Sequence, residues 1–320
     1  MSNSGNITDQ IYKQALLVRD LVIEPRIGFK LRQDKSKWGK VIASLDVIED
    51  TCMAINSLPA QSAKRIEKGL LYLAVYGLLQ SLFVQQNAVA SLCKTLDFHF
   101  DESDETLKTV RGVRNDCVGH PTDRRDGSVH SISQVTLSLV GFQMMLETQQ
   151  GEMIFKDIEL TELIEQQGAV IEEVMTDLVM EIKRRDKQVR EKYKSKKLRT
   201  AFPENTGYYL GKILESTSEH GRLEIGLASL MTIKNALSSF IASLEERGLG
   251  ISTYVGIEGG FKEIEVPEAR LEQFFKEGVL PGESCSESRK TACIFADYYR
   301  KQVLQLMTMA ESIDMEYEQD

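Results

Sequence analysis

The sequence is short of the residues that cross-link small secreted domains and of those that punctuate irregular ones. Its 320 residues include five cysteines, six prolines and one tryptophan. Cys52, Cys93, Cys117, Cys285 and Cys293 are scattered along the chain. Their odd number and the lack of any Cys-x-x-Cys pair argue against a disulfide framework and against a zinc ribbon, and suit reduced thiols. The four histidines, His99, His120, His130 and His220, show no paired ligand spacing, so no metal site is expected. There is no glycine-rich phosphate loop and no Gly-x-Ser-x-Gly elbow. The one glycine-rich stretch, Val255 to Gly260, has no following Lys-Ser or Lys-Thr and reads as a turn. Hydride transfer and nucleoside-triphosphate hydrolysis are poor fits, and no cofactor is expected. The most apolar run, Leu70 to Val84, is interrupted by Gln80 and Ser81. It falls short of the roughly 20 residues that span a bilayer and reads as a buried helix. The first residues lack a charged segment followed by an apolar one, so no secretory signal is read. The expectation is a cytoplasmic protein without a membrane partner.

Charge of one sign dominates, but unevenly. The net charge is −9, from 48 acidic and 39 basic residues. Between Lys183 and Arg199, ten basic residues meet only two acidic ones, a local charge of +8. Such a strip, beginning with Lys183, Arg184, Arg185 and Arg190, reads either as a solvated helical extension or as a set of phosphate contacts that guide a polyanion.

The most informative stretch is Arg111-Gly-Val-Arg114-Asn115-Asp-Cys-Val-Gly119-His120-Pro121. Cleaving RNA with its own 2'-hydroxyl requires a group that exchanges protons near neutral pH, and imidazole, with a free pKa of about 6.5, is the side chain that does. It also requires a permanent cation on the phosphoryl oxygens, and a guanidinium offers a planar donor fork. Arg114 and His120 fit these roles, with Asn115 placed to orient them. Six positions on an ideal helix rotate a side chain by about 600°, roughly a third of a turn from alignment. Gly119 in a left-handed conformation, followed by Pro121, would let His120 leave the last turn and swing toward Arg114. Arg111 shares the face of Arg114 and reads either as a second phosphate contact or as a solvated charge. Cys117 lacks an orienting partner and reads as a small core residue.

These residues, Arg114-Asn115, four more and His120, resemble the signature of the HEPN (higher eukaryotes and prokaryotes nucleotide-binding) superfamily, over roughly residues 1 to 200. The helix Leu70 to Gln80, continuing through Phe83 to Val89, is similar to the core helix of uncharacterised bacterial members. The resemblance implies a helical bundle whose last helix carries the motif. It also implies a metal-independent endoribonuclease that cleaves single-stranded RNA, dimerises so that two motifs share a cleft, and acts as a toxin or antiviral-defence effector with an antitoxin or defence-system partner. Other members bind nucleotide or RNA, or dimerise, without catalysis. Thr122 stands two positions after the histidine, where members modified by a partnered nucleotidyltransferase have tyrosine.

Helical periodicity predicts a mainly α fold. Ile11 to Ile23, Trp38 to Ile55, Ala63 to Leu96 and Ser103 to Val118 give an up-and-down bundle, with Asp104 capping the last helix. A small antiparallel β meander is expected at about 128–158, with turns at Asp126-Gly127 and at Gln149 to Gly151. A long helix follows from Thr161, with Leu160, Ile164, Ile171, Val174, Leu178 and Ile182 along one face. The break from Thr200 to Gly207 divides a domain at 1–200 from a C-terminal helical domain at 201–320. In the latter, two apolar stripes, Leu223 to Leu244 and Ala292 to Ile313, serve as core or as a seam between chains.

Overall fold

The computed structural model describes residues 3–57, 66–122 and 127–318. The protein is mainly helical, with one three-stranded antiparallel sheet, and divides into two compact units. The first comprises Met1–Ile23 and Leu31–Lys183, and the second Glu24–Lys30 and Arg184–Asp320.

In the first unit, α1 (Asn3–Ile23), α3 (Lys35–Asn56), α4 (Lys68–Thr95) and α5 (Glu105–Arg114) occupy the four expected segments; residues 63–65 lie outside the described residues. Each helix buries an apolar stripe at helical spacing: Ile11, Ala15, Val18 and Val22 on α1, Val41, Leu45, Ile48 and Cys52 on α3, and Val75, Leu78, Leu79 and Leu82 on α4. Asp104 caps α5 by accepting from the Leu107 amide at 3.0 Å. The short helix α2 (Pro25–Gln33), which the apolar periodicity does not predict and whose residues up to Lys30 belong to the second unit, starts on a proline, where a missing N–H costs nothing.

The meander consists of β1 (Val129–Ile132), β2 (Gly141–Glu147) and β3 (Met153–Glu159) in the order β1-β2-β3. Ile132, Phe142, Met144 and Ile158 turn one sheet face into a core shared with Leu79, Val110 and Val113. The β2–β3 turn is closed by Gly151 at a φ of +79°, a conformation that favours glycine. Gly127, at a φ of +73°, is likewise left-handed, while Asp126, the other residue of the expected first turn, lies outside the described residues.

Helix α6 (Leu160–Tyr193) buries Leu160, Ile164, Ile171, Leu178 and Ile182 as expected, with Met175 in the place given to Val174. The division between the units falls inside this helix, at Lys183, rather than at residue 200. From Arg184 onward the basic strip is part of the second unit and carries buried residues: Tyr193 and Leu198 belong to that unit's core. Four of its charges pair with acids of the same unit. Arg190 pairs with Asp186, Lys196 with Glu246, Lys197 with Glu318 and Arg199 with Glu311.

The second unit contains α7 (Thr206–Glu215), α8 (Leu223–Glu246), α9 (Val255–Glu277) and α10 (Cys285–Glu316). Both predicted stripes supply its core: Leu230, Leu237 and Leu244 from α8, and Ala292, Tyr299, Val303, Leu306, Ala310 and Ile313 from α10. By length and composition α8 could cross a membrane, but Leu230, Ile233, Phe240 and Leu244 pack into that core. The glycine-rich stretch Val255 to Gly260 is helical, not a turn. Its glycines serve packing: a Cβ on Gly256 would meet Met309 Cε at 2.9 Å, and one on Gly260 would meet Leu306 Cδ2 at 2.7 Å. Close helix approach here outweighs glycine's intrinsic cost of about 1 kcal/mol in a helix.

Cys52, Cys93 and Cys117 are buried, and burial pushes each thiol up to about 12; Cys285 and Cys293 are exposed. At pH 8 a thiol reagent should modify two cysteines promptly, identified by mass spectrometry as Cys285 and Cys293, and the other three only on unfolding. Prompt modification of Cys117 would contradict its place in the core.

Candidate functional site

Helix α5 does not end where its α-pattern does. After Arg114 the backbone opens into a π turn over Asn115–Gly119, and the His120 amide donates to the Asn115 carbonyl at 2.8 Å, five residues back. Gly119 is not among the positive-φ glycines, so the left-handed exit anticipated for it does not occur. Its lack of a side chain matters for a different reason. A Cβ at Gly119 would sit 2.8 Å from Arg114 Nη1 and 3.3 Å from Asn115 Oδ1. The wider turn, with one extra residue per hydrogen bond, re-aims the chain, and the glycine lets the guanidinium lie against the peptide that precedes His120.

Neutral groups hold Arg114 in place. Its Nε and Nη2 both donate to Gln80 Oε1, at 3.1 and 2.8 Å, and Nη1 donates to Asn115 Oδ1 at 2.9 Å. The guanidinium carbon lies 4.5 Å from the centre of the Phe83 ring, a cation–π contact worth about 0.5–2 kcal/mol. Among the described residues no carboxylate pairs with it. Three of its five N–H groups are thereby used, and its charge is left uncompensated. His120 is exposed, and its imidazole makes no hydrogen bond among the described residues.

Arg111 is anchored more deeply than either expectation for it. Its Nε donates to Gln86 Oε1 at 2.6 Å, and its Nη2 lies 3.9 Å from Glu102, buried and without a hydrogen bond. Gln86 heads a buried polar chain. Gln86 Nε2 donates to Gln167 Oε1 at 2.7 Å, Gln167 Nε2 to Gln85 Oε1 at 3.1 Å, and Gln85 Nε2 to Cys52 Sγ at 3.4 Å. Each amide accepts on one side and donates on the other, so donation runs in one direction from the Arg111 cation to Cys52. Gln80, Phe83 and Gln86 sit three residues apart and form one face of α4; together they receive both arginines of α5. Sequence reading took Gln80 only as an interruption of an apolar run. Polar residues recurring at helical spacing inside that run were the signal that could have found them.

A second histidine adjoins the motif. The His130 amide, on β1, donates to the Pro121 carbonyl at 2.7 Å. Its buried ring has Nε2 3.1 Å from Ser128 Oγ and Nδ1 3.7 Å from Asp116 Oδ2. No spacing rule points to it, since it is the pairing of β1 with the motif's end that brings it there. Cys117 is buried, with its Sγ 3.7 Å from Met144 Sδ, as its core reading anticipated.

Of the remaining predicted residues, Lys183 lies exposed near the end of the first unit's part of α6, and Arg184, Arg185 and Arg190 belong to the second unit. Among the described residues no three His, Cys, Asp or Glu side chains gather as a metal site. Compared with protein-family models, curated proteins and solved structures, the chain matches none.

Gln167 is fully buried with three hydrogen bonds, so Gln167→Leu should cost about 1–3 kcal/mol by leaving its partners unpaired. Urea unfolding monitored by circular dichroism measures this; an unchanged midpoint would show that the polar chain contributes nothing.

Proposed function

We propose that the chain is a metal-independent endoribonuclease of the HEPN type, acting on single-stranded RNA. The observation that carries this reading is the Arg114 guanidinium, held by Gln80, Asn115 and Phe83 against Gly119, the residue before exposed His120, with no carboxylate paired to it among the described residues. A cation fixed before the substrate arrives, without a carboxylate to neutralise it, stabilises the negative charge that develops on phosphoryl oxygens without reorganising. His120 exchanges a proton with the 2'-hydroxyl or with the leaving oxygen. The 2'-oxygen bonds to phosphorus, the bond to the 5'-oxygen breaks, and a 2',3'-cyclic phosphate and a 5'-hydroxyl result. Asn115 acts as a positioning residue through its carbonyl on Arg114. One histidine serves one proton transfer at a time, so a second copy of the chain or water completes the acid–base pair. Arg111 and the exposed Lys183, both in the first unit, are the further phosphate contacts in this reading; Arg184, Arg185 and Arg190 belong to the second unit and already have partners within the protein.

The second reading is a non-catalytic module that binds nucleotide or RNA. It is favoured by the three N–H groups that Arg114 already spends inside the protein, which leave two for a ligand.

His120→Ala should reduce cleavage of single-stranded RNA by about 100- to 10,000-fold while leaving the circular dichroism spectrum unchanged. Arg114→Lys should also impair it, because lysine keeps the charge without the fork that fits Gln80 and Asn115. Activity should survive excess EDTA and yield 2',3'-cyclic phosphate ends. RNA binding without cleavage in wild-type protein selects the second reading; cleavage retained by folded His120→Ala protein refutes the first.

A further inference from the structure

The sheet of the first unit ends on an open strand. β3 is the outer strand, and Met153, Ile154 and Phe155, three consecutive apolar residues, are 48%, 41% and 56% exposed. Edge strands are usually blunted by prolines, bulges or repeated charges, because their unpaired backbone groups accept another strand. β3 has neither proline nor bulge in its pairing with β2, which runs unbroken from Gly141–Glu159 to Glu147–Met153, and its charges, Lys156, Asp157 and Glu159, are confined to its second half.

The hydrogen bonds that flank this ladder fix which amides are free. Thr148 N–H donates to the Glu152 carbonyl, and Leu160 N–H to the Val140 carbonyl. Antiparallel pairing alternates, so the backbone groups of Ile154, Lys156 and Ile158 face β2, and those of Met153, Phe155 and Asp157 face outward. The outer sheet face is also apolar on this side. The register sets Phe155 beside Met145, and Met153 in one row with Val129 across Glu147.

The segment Glu152-Met-Ile-Phe-Lys156 is complementary to itself when antiparallel. With a two-fold axis through Ile154, Met153 of each copy exchanges backbone hydrogen bonds with Phe155 of the other. Ile154 meets Ile154, and Glu152 stands opposite Lys156 twice. Shifting the axis to Lys156 sets like charges opposite each other, and shifting it to Phe155 sets Asp157 against Met153. We infer that a second copy of this chain docks on the β3 edge in this register, joining the two meanders into one six-stranded antiparallel sheet. The inference goes beyond the ribonuclease reading and does not rest on it: its readout is molecular mass, not cleavage.

Sedimentation velocity of the full chain over a concentration series should show a monomer–dimer equilibrium. Phe155→Pro removes an outward N–H that β2 does not use, so it should abolish the dimer with the helical spectrum intact. Glu152→Lys and Lys156→Glu should each raise the dissociation constant about tenfold, two like-charge pairs replacing two opposite ones. The double variant should restore the wild-type value. This charge exchange decides the matter even if Phe155→Pro fails to fold. A wild-type monomer at high micromolar concentration, which would leave the edge to an extended peptide of another protein, overturns the inference. So does a dimer indifferent to both single charge reversals.

Discussion

Two arginines of α5 are held against one face of α4 by neutral groups, and the organisation around the motif depends on this contact. Gln80 and Gln86 each offer a carbonyl oxygen to a guanidinium, and Phe83 between them offers its ring to both. A carboxylate in either glutamine's place would bind the cation more strongly but cancel its charge. Guanidinium is weakly hydrated and tolerates such partial burial better than an ammonium would. At Arg114 the contact therefore combines order with a charge that no carboxylate among the described residues pairs, whereas Arg111 also faces Glu102 at 3.9 Å.

The cost of bringing polar groups into the core is met by continuity. Gln85, Gln86 and Gln167 are essentially inaccessible to solvent, yet each donates and accepts along one chain that ends on Arg111. An isolated buried amide would be expensive; linked amides satisfy one another and fix their own orientation. The chain also ties α6 to α4 and α5 at the level of the arginines, so the helix that carries Gln167 supports the arginine face without touching Arg114. On the opposite side of the motif, the β1 backbone holds Pro121, and His130 faces Asp116 in the π turn. The meander therefore anchors the motif's end, which follows from its position immediately after the motif in the chain.

In the second unit the ion pairs of the basic strip have modest energetic weight, since exposed pairs typically contribute about 0–1 kcal/mol. Their consequence is electrostatic. By pairing with Asp186, Glu246, Glu318 and Glu311, Arg190, Lys196, Lys197 and Arg199 lose much of the field that their clustering in sequence suggests.

The amino-acid sequence by itself determined the helices, because a 3.6-residue apolar repeat in α1, α3, α4, α6, α8 and α10 can be buried in only one way. It determined the meander, through alternation and the glycine turn at Gly151, and the cap at Asp104. It also singled out Arg114, Asn115 and His120 by their residue types and spacing. Tertiary structure alone decided the rest. Gly119 and Gly256 look like turn residues until the side chain pressing on each is known. The π turn places Arg114 by contacts with Gln80 and Phe83, more than thirty positions away. The domain boundary sits inside α6 because Tyr193 and Leu198 find a core that local sequence does not announce. Local pattern reports what a segment can bury, whereas which residue meets which depends on segments far along the chain, and there the arginines acquire their neutral partners.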